Sequence, residues 1–296
     1  MKRLKGRRQT LTLLVGSQAL LVSLTFTLLE YSMWKLDTLS RDGAVHVLRR
    51  LSAGDAKFKE LNEGVRNTRT LTRRLKELQA EDLIQKAGTC YKITDEGFDI
   101  AFKVADIEWK TDLKWIRNEG FAKIRYTWMK TSLRRLLNIF LKEFDKELIS
   151  IILYGSATKD TFQLGRSDVD LLYITEDNTR RTWQREENVF KQFQSTWEYR
   201  ACDHRLKTQG FYGYPEVTTA SLRRNYAKIF QPIYLDMLCH RSILYDKKDF
   251  FEKLMKKLQE ELKALKSLRV EYADGTYCWF LKPNIAPGEL IKISLE

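Results

Sequence analysis

The chain has 296 residues, which suggests two domains, and its 52 Lys and Arg against 39 Asp and Glu give a formal net charge of +13. This charge predicts an anionic partner such as a nucleotide, a nucleic acid or an acidic membrane surface. The four cysteines lie far apart without C-x-x-C spacing, which argues against a disulfide framework or a structural zinc site, and three histidines leave little for a histidine-based hydrolytic site.

Residues 1–32 form a basic and then apolar N-terminal segment. Five of residues 1–9 are Lys or Arg, and residues 11–29 carry no charge, a pattern typical of a membrane helix or a signal anchor. Three interpretations stay open for this segment. It is a helix packed on the protein itself, an anchor whose C-terminal side is inside the cell, or an extension ahead of a start near Met33.

The sequence pattern over residues 33–106 predicts short helices followed by a hairpin. Apolar residues recur at helical spacing in two short stretches, and Asn67 is placed to cap a third helix. The runs 83–86 and 90–93 have strand character and are joined by a Gly-containing turn, which predicts a hairpin. The order of these elements is that of a winged helix-turn-helix.

This order resembles prokaryotic winged-helix regulators, in particular the HxlR-like group, whose third helix enters the major groove of DNA. The resemblance implies that basic side chains on the third helix and on the hairpin wing contact DNA. On the helix these are Arg66, Arg69, Arg73 and Arg74, and on the wing Lys86 and Lys92. The alternatives are a basic face that is only solvated, or a winged helix that binds protein.

Residues 107–147 predict a linker and then a long helix. Large apolar side chains, among them Phe140 and Phe144, recur mostly at helical intervals up to the start of the next apolar run. A stripe of this kind is typical of a helix that covers one face of a sheet.

The most informative stretch follows this helix. The apolar run 148–154 stops at Gly155, and a second apolar run starts with Asp168-Val169-Asp170, which predicts a strand, a tight turn, a short helix and a second strand. Alternate side chains of a strand share a face, so the two carboxylates lie on one side, about 7 Å apart along the backbone. Such carboxylates repel each other unless a cation lies between them, and Mg²⁺ prefers oxygen ligands.

The residues between the strands predict a phosphate site. Gly155 at the end of the first strand allows the backbone to approach a ligand closely. Ser156 is predicted to cap the helix that follows, whose free N–H groups suit a phosphate.

Gly-Ser, a spacer and Asp-x-Asp together resemble the signature of the nucleotidyltransferase superfamily, which includes polymerase-beta-like and minimal nucleotidyltransferases. The matching residues are Gly155, Ser156, Ser167, Asp168 and Asp170. The resemblance implies two Mg²⁺ ions held by the acids and a triphosphate bound at the turn, assisted by Lys159 or Arg166. The chain departs from many relatives at Lys159-Asp160, where they carry Arg-Gly. Lys159 keeps a positive charge there but lacks the bidentate geometry of arginine.

The resemblance also implies a third carboxylate on a neighbouring strand, as a metal ligand and a base. Our first choice is Asp236, because the apolar run 232–238 predicts the next buried strand and a charge inside such a run needs a partner. Glu216, which follows a Tyr-Pro turn, is the second choice. Elsewhere in this region the sequence predicts a helix over 178–200, an amphipathic helix over 250–268 and a hairpin over 271–282. The run 243–246 is expected to close the catalytic unit.

These patterns together predict an α+β chain: a winged helix at 33–106, a linker and long helix at 107–147, and a nucleotidyltransferase-fold mixed sheet flanked by helices at 148–296. The implied reaction transfers a nucleoside monophosphate, with AMP favoured, from Mg²⁺–NTP (ATP favoured) to a hydroxyl, and releases pyrophosphate. The acceptor is left open among protein, RNA and small molecule. A regulator that binds DNA and only senses nucleotide is the alternative. We favour a cytoplasmic enzyme, with membrane contact through residues 11–29 left open.

Overall fold

The computed structural model describes residues 38–65, 67–110, 114–176, 180–273, 276–286 and 288–295. The N-terminal segment 1–32 and Arg66 lie outside the described residues. In the part of the chain that is described, no helix is both long and apolar enough to cross a membrane.

The first region contains the predicted helices and hairpin. Helices α1 (Ala44–Ser52), α2 (Phe58–Asn62) and α3 (Thr68–Ala80) are followed by strands β2 (Ile84–Ala87) and β3 (Cys90–Ile93) and by α4 (Asp95–Trp109). A two-residue strand β1 (Ala56–Lys57) pairs with β3 and gives a sheet of order β1-β3-β2.

Side-chain caps explain where two of these helices begin. The Asn67 side chain accepts a hydrogen bond from the Arg69 N–H at the start of α3, and Thr94 accepts one from the Gly97 N–H at the start of α4. Leucines from α1, α2 and α3 pack together in one buried cluster, so the three helices share a core. The predicted order of short helices and a hairpin is therefore present, and its assignment as an HxlR-like winged helix stays a prediction.

A short helix α5 (Asn118–Ala122) leads to the long helix α6 (Thr127–Phe144). The predicted long helix is confirmed, and its apolar side packs on one face of the central sheet. The predicted domain boundary at residue 106 stays a prediction, and α4 continues through it to Trp109.

The central sheet has four strands in the order β6-β5-β4-β7, namely β4 (Leu148–Tyr154), β5 (Val169–Thr175), β6 (Val217–Arg223) and β7 (Arg241–Asp246). Strand β5 is antiparallel to β4 and parallel to β6. One face, which carries Val169 and Leu171, packs against α6. The opposite face, which carries Leu172 and Ile174, is covered by helices that follow in the chain.

The helices that follow β5 in the chain are α7 (Arg180–Ser195), α8 (Trp197–Thr208), α9 (Arg224–Ala227), α10 (Ile233–Cys239) and α11 (Phe250–Ala264). Helices α7 and α8 join the cluster on the α6 side, whereas α10 and α11 pack on the opposite face. A hairpin of β8 (Leu268–Glu271) and β9 (Tyr277–Phe280) follows. The structure therefore confirms a mixed α+β fold. The single helix predicted over 178–200 is wrong, because Thr196 ends α7 and caps α8 by accepting a hydrogen bond from the Tyr199 N–H.

The prediction of a buried strand at 232–238 is also wrong. These residues lie in helix α10, where Tyr234 and Met237 are buried at a helical spacing of three. The strand that neighbours β5 is instead β6, a Thr-containing edge strand that the sequence analysis missed. An edge strand is solvated on one side, so its residues do not form the continuous apolar run that we used as the signal for a strand.

Candidate active site at the edge of the central sheet

Asp168 and Asp170 stand at the start of β5 and their side chains lie on the same side of the sheet. Val169 between them is buried in the core under α6, whereas Asp170 shares a face with Leu172. Asp168 is exposed and Asp170 is partly exposed. Burial, and next the negative charge of Asp168, raise the pKa of Asp170. A cation between the two carboxylates would lower the free-energy cost of ionising Asp170 next to Asp168.

Gly155 brings the turn after β4 against the same carboxylate. Tyr154, the last residue of β4, pairs in register with Asp170. Gly155 has a φ of +69°, and a Cβ at this position would lie 2.3 Å from Asp170 Oδ2. The position therefore requires glycine on both backbone and steric grounds. Tyr154 is a site residue that the sequence analysis missed. Burial and the charge of Asp170 raise the pKa of Tyr154, and its place directly before the Gly-Ser pair was the available signal.

The turn itself is a single 3-10 turn over Gly155–Thr158. The Lys159 N–H donates to the Ser156 carbonyl at 2.9 Å, and the Thr158 hydroxyl donates to the Gly155 carbonyl at 2.9 Å. The prediction that Ser156 caps a helix is wrong, because Ser156 lies inside the turn and no side-chain hydrogen bond caps it. Ser156 and Lys159 are both half-buried, beside the Asp170 edge.

A second turn positions Asp168. The Ser167 N–H donates to the Gln163 carbonyl at 2.9 Å, and the Gln163 N–H donates to the Ser167 hydroxyl at 3.0 Å. Ser167 therefore closes this turn, and its predicted contact with a nucleotide stays a prediction. Arg166 is exposed on the same turn. Lys159 lies near His240, whose pKa is lowered by burial and then by the positive charge of Lys159.

The two candidates for the third carboxylate occupy different places. The Val169 N–H donates to the Glu216 carbonyl at 2.8 Å, and Val169 pairs with Val217. Extending this register by one residue sets Glu216 beside Asp168, where its side chain is exposed.

Asp236 lies on helix α10, where its side chain is exposed and accepts a hydrogen bond from the Tyr277 hydroxyl. The argument that Asp236 is a charge buried in a strand therefore fails. Its role as a metal ligand stays a prediction, as does that of Glu216.

The donor set at this edge suits a metal that arrives with its substrate. Among the described residues, no group of three or more His, Cys, Asp and Glu side chains is close enough to hold a metal ion. Asp168 and Asp170 supply two carboxylates. Mg²⁺ is commonly bound through one or two carboxylates together with substrate phosphates and water, so these two acids fit Mg²⁺–NTP better than a preformed cage.

The residues predicted to contact DNA divide into two groups. Arg69, Arg73 and Lys86 are exposed. Lys92 is partly buried and pairs with Asp55 at 2.9 Å. Arg74 has only 3% of its surface exposed.

The predicted DNA contact of Arg74 is therefore wrong. Its Nε donates to the Asp42 carbonyl at 2.9 Å, and its guanidinium also bonds to Glu77. Arg74 follows Leu71 by three residues and so faces the core of the helical region, where it joins α3 to the segment before α1.

Comparisons with known proteins give two matches. The family described as "Nucleotidyltransferase domain" matches residues 133–282, which contain the Gly155 turn and both acids of β5. The chain is also 31% identical over 83 residues to an uncharacterized HTH-type transcriptional regulator of Methanocaldococcus jannaschii, covering 26% of this chain and 77% of that protein. No solved structure matches the chain.

Proposed function

This chain belongs to the nucleotidyltransferase domain family, and on that premise we propose that it transfers a nucleoside monophosphate from Mg²⁺–NTP to a hydroxyl acceptor and releases pyrophosphate. AMP, from ATP, is the favoured group. The contact of the Asp170 carboxylate with the Gly155 turn is the observation that carries this proposal, because it joins a metal-binding acid to a backbone suited to phosphate.

In this proposal Asp168 and Asp170 hold two Mg²⁺ ions, which when bound neutralise the triphosphate and activate the acceptor hydroxyl. The Gly155 turn and the Ser156 hydroxyl bind the triphosphate. Lys159 and Arg166 assist by adding positive charge. The half-buried position of Lys159 supports its part in this set.

For the third carboxylate we now propose Glu216 ahead of Asp236. Its support is the main-chain hydrogen bond from Val169 and the strand register, which bring residue 216 next to Asp168. In this role Glu216 would accept the proton of the acceptor hydroxyl. The hydrogen bond from Tyr277 gives Asp236 a structural partner of its own.

The winged-helix region leads us to propose an accompanying DNA-binding role. The exposed Arg69 and Arg73 and the similarity to an HTH-type regulator support it. The same observations favour a second candidate function, a transcription regulator whose nucleotidyltransferase region only senses nucleotide. In either case we propose an HxlR-like domain at 33–106, a linker and long helix at 107–147 and a nucleotidyltransferase domain at 148–296. The protein would act in the cytoplasm, with membrane contact through residues 11–29 left open.

Incubation of the protein with ATP labelled at the α-phosphate, Mg²⁺ and a cell extract tests the enzyme directly. We expect label on a protein, an RNA or a small molecule. Asp168→Asn and Asp170→Asn should each lower labelling by about a hundredfold or more, because each removes a metal carboxylate. Asp160→Asn, which changes an exposed acid on the same connection, is the matched control and should label normally.

Equal labelling by wild type and by both Asp variants would contradict the enzyme, and sequence-selective DNA binding without label would support the regulator. In the same assay Glu216→Gln should lose most of its activity and Asp236→Asn should keep most of it. The reverse result would restore Asp236 as the third carboxylate.

A further inference from the structure

A second site candidate lies where the winged-helix region meets the nucleotidyltransferase region. A cavity of about 590 Å³ opens between α1 and α8. Its lining contains three arginines, one histidine, one tryptophan and one alanine, and no acid, namely His46, Arg49, Arg50, Ala53, Trp197 and Arg200. A concave site lined by side chains of one charge sign attracts ligands of the opposite sign, so this cavity favours an anion.

The arginines are held in place by groups around the cavity. The guanidinium of Arg49 lies 5.3 Å from the centre of the Trp197 ring and pairs with Glu108 at the surface. The Trp197 ring in turn packs against Phe102, with 5.0 Å between ring centres. Arg49 Nε is buried and has no hydrogen-bond partner among the described residues. This nitrogen is closed to a ligand in the cavity, and the charge of Arg49 is shared with Glu108 and the neighbouring Glu198.

The other two arginines keep donors available for a ligand. Arg200 donates to the carbonyls of Ser195 and Thr196, which are neutral acceptors and leave its positive charge in place. Arg50 Nη2 lies 3.7 Å from the Glu60 carboxylate, and Arg50 makes a long hydrogen bond of 3.4 Å to the Gly54 carbonyl. A guanidinium carries five N–H donors in a planar fork, which matches the oxygens of phosphate.

We propose that this cavity binds a small phosphate-rich ligand, either inorganic polyphosphate or the phosphate chain of a nucleotide, as a site separate from the Asp168–Asp170 edge. A single phosphate would occupy only part of 590 Å³ and meet few of the four basic side chains. A chain of phosphates would contact α1 and α8 at once. Its binding would fix the winged-helix region against the nucleotidyltransferase region, and this inference does not depend on the proposed reaction.

Isothermal titration of the full chain with inorganic triphosphate in EDTA tests the proposal, because chelation of divalent ions weakens binding at the catalytic edge. The double variant Arg50→Gln/Arg200→Gln should bind triphosphate about tenfold or more weakly than wild type, since it removes two charge-assisted contacts. The matched control is Arg181→Gln/Lys191→Gln, which changes two exposed cations on α7 and should stay within about twofold. Asp170→Asn should bind triphosphate as wild type does.

Trp197→Phe gives a second readout that locates the ligand. It should keep triphosphate binding in the calorimeter but lose the tryptophan fluorescence change that wild type shows on binding. The proposal is overturned if wild type binds neither triphosphate nor ATP in EDTA, or if a folded double variant binds them as wild type does. It is also overturned if Asp170→Asn abolishes binding, which would move the site to the catalytic edge. If the double variant loses affinity only for a single-stranded oligonucleotide and not for triphosphate, the small-ligand proposal is overturned and the site is assigned to a nucleic-acid strand.

Discussion

At the scale of single residues, the contact between Gly155 and Asp170 decides what the sheet edge can do. The acid is on a strand and the glycine is on the neighbouring turn, and the carboxylate fills the space where any other residue would carry a Cβ. The same-face arrangement of Asp168 and Asp170 follows from strand alternation alone. The close approach of the turn does not, since it depends on how β4 and β5 pair.

Gly155→Ala tests this contact. A residue with a side chain at φ +69° is strained, and its Cβ would collide with Asp170, so we expect a loss of about 1–3 kcal/mol in the free energy of unfolding together with a large fall in nucleotide transfer. Gly210→Ala is the matched control. Gly210 has a φ of +87°, but a Cβ added there would meet no atom within 4 Å, so this variant should lose stability while keeping transfer. Equal activity in the two variants would argue against the contact.

Asp246 is a buried carboxylate at the end of β7 that starts the last long helix. It accepts hydrogen bonds from the Ser150 hydroxyl at 2.7 Å and from the N–H groups of Phe251 at 2.9 Å and Glu252 at 3.1 Å. Burial nevertheless raises the pKa of Asp246, and these hydrogen bonds only partly oppose the effect. The folded protein therefore holds a proton on this group at a higher pH than the unfolded chain does.

This sign gives a pH dependence of stability. The contribution of Asp246 is most favourable below its unfolded pKa of about 4 and declines as pH rises through its raised folded pKa. The stability of wild type relative to Asp246→Asn should therefore fall over this range, as measured by urea unfolding at a series of pH values. Ser150→Ala, which removes one hydrogen bond but keeps the carboxylate, serves as the control for lost polar contacts. A difference that rises with pH would show that the hydrogen bonds outweigh burial.

At the scale of elements, helix α3 shows how neighbouring arginines take opposite roles. Arg73 and Arg74 are adjacent in sequence, but successive residues of a helix point about 100° apart. The side chain of Arg73 is 65% exposed, whereas that of Arg74 is 4% exposed and bonds inside the fold. Residue type alone cannot show which of the two arginines is exposed and which is buried, because both are basic and both lie on the predicted recognition helix.

The pair makes a matched test of DNA binding. Arg73→Ala, alone or with Arg69→Ala, should weaken binding to duplex DNA. It should also reduce the dependence of affinity on salt concentration, because a protein with fewer phosphate contacts releases fewer counterions from the DNA when it binds. It should leave the melting temperature nearly unchanged. Arg74→Ala should instead lower the free energy of unfolding by about 1–3 kcal/mol, because the Asp42 carbonyl and Glu77 lose a buried partner. Unchanged DNA affinity in Arg69→Ala/Arg73→Ala would leave α3 without a role in DNA binding.

At the scale of the whole molecule, the two regions share buried side chains. Phe98 and Phe102 of α4 belong to the same apolar cluster as α6 and the strands β4 and β5. Farther along α4, the Trp109 indole N–H donates to the buried Glu198 carboxylate of α8 at 2.6 Å. Helix α4 is therefore part of the support for both regions, and the two regions are expected to be coupled in stability.

Phe102→Ala tests this coupling. Phe102 is fully buried and packs against Phe98 with 4.7 Å between ring centres, so its truncation should cost about 3–5 kcal/mol. Hydrogen exchange should show that amides of α3 and of β5 lose protection together. Ile107→Ala on the same helix is the control, because Ile107 is 64% exposed and its change should leave both regions nearly unaffected. Loss of protection in one region alone would contradict a shared core.

The elements whose signals are local could be predicted from the amino-acid order alone. These are the capped helices and hairpin of the first region, the long helix α6, and the strand–turn–strand that carries Gly155, Asp168 and Asp170. Helical periodicity, a capping residue and a glycine at a strand end are each signals contained in a short stretch of sequence. They can therefore be recognised without knowing what packs against that stretch.

The features that depend on distant partners became visible once the folded arrangement was known. An edge position allows β6 to be polar, and packing of two residues on the sheet makes the apolar run 232–238 a helix. Strand pairing, 48 residues apart in sequence, brings Glu216 beside Asp168 and leaves Asp236 on a helix with Tyr277. The physical reason is the same in each case. A side chain's burial and neighbours are set by the surface it packs against, and that surface comes from another part of the chain.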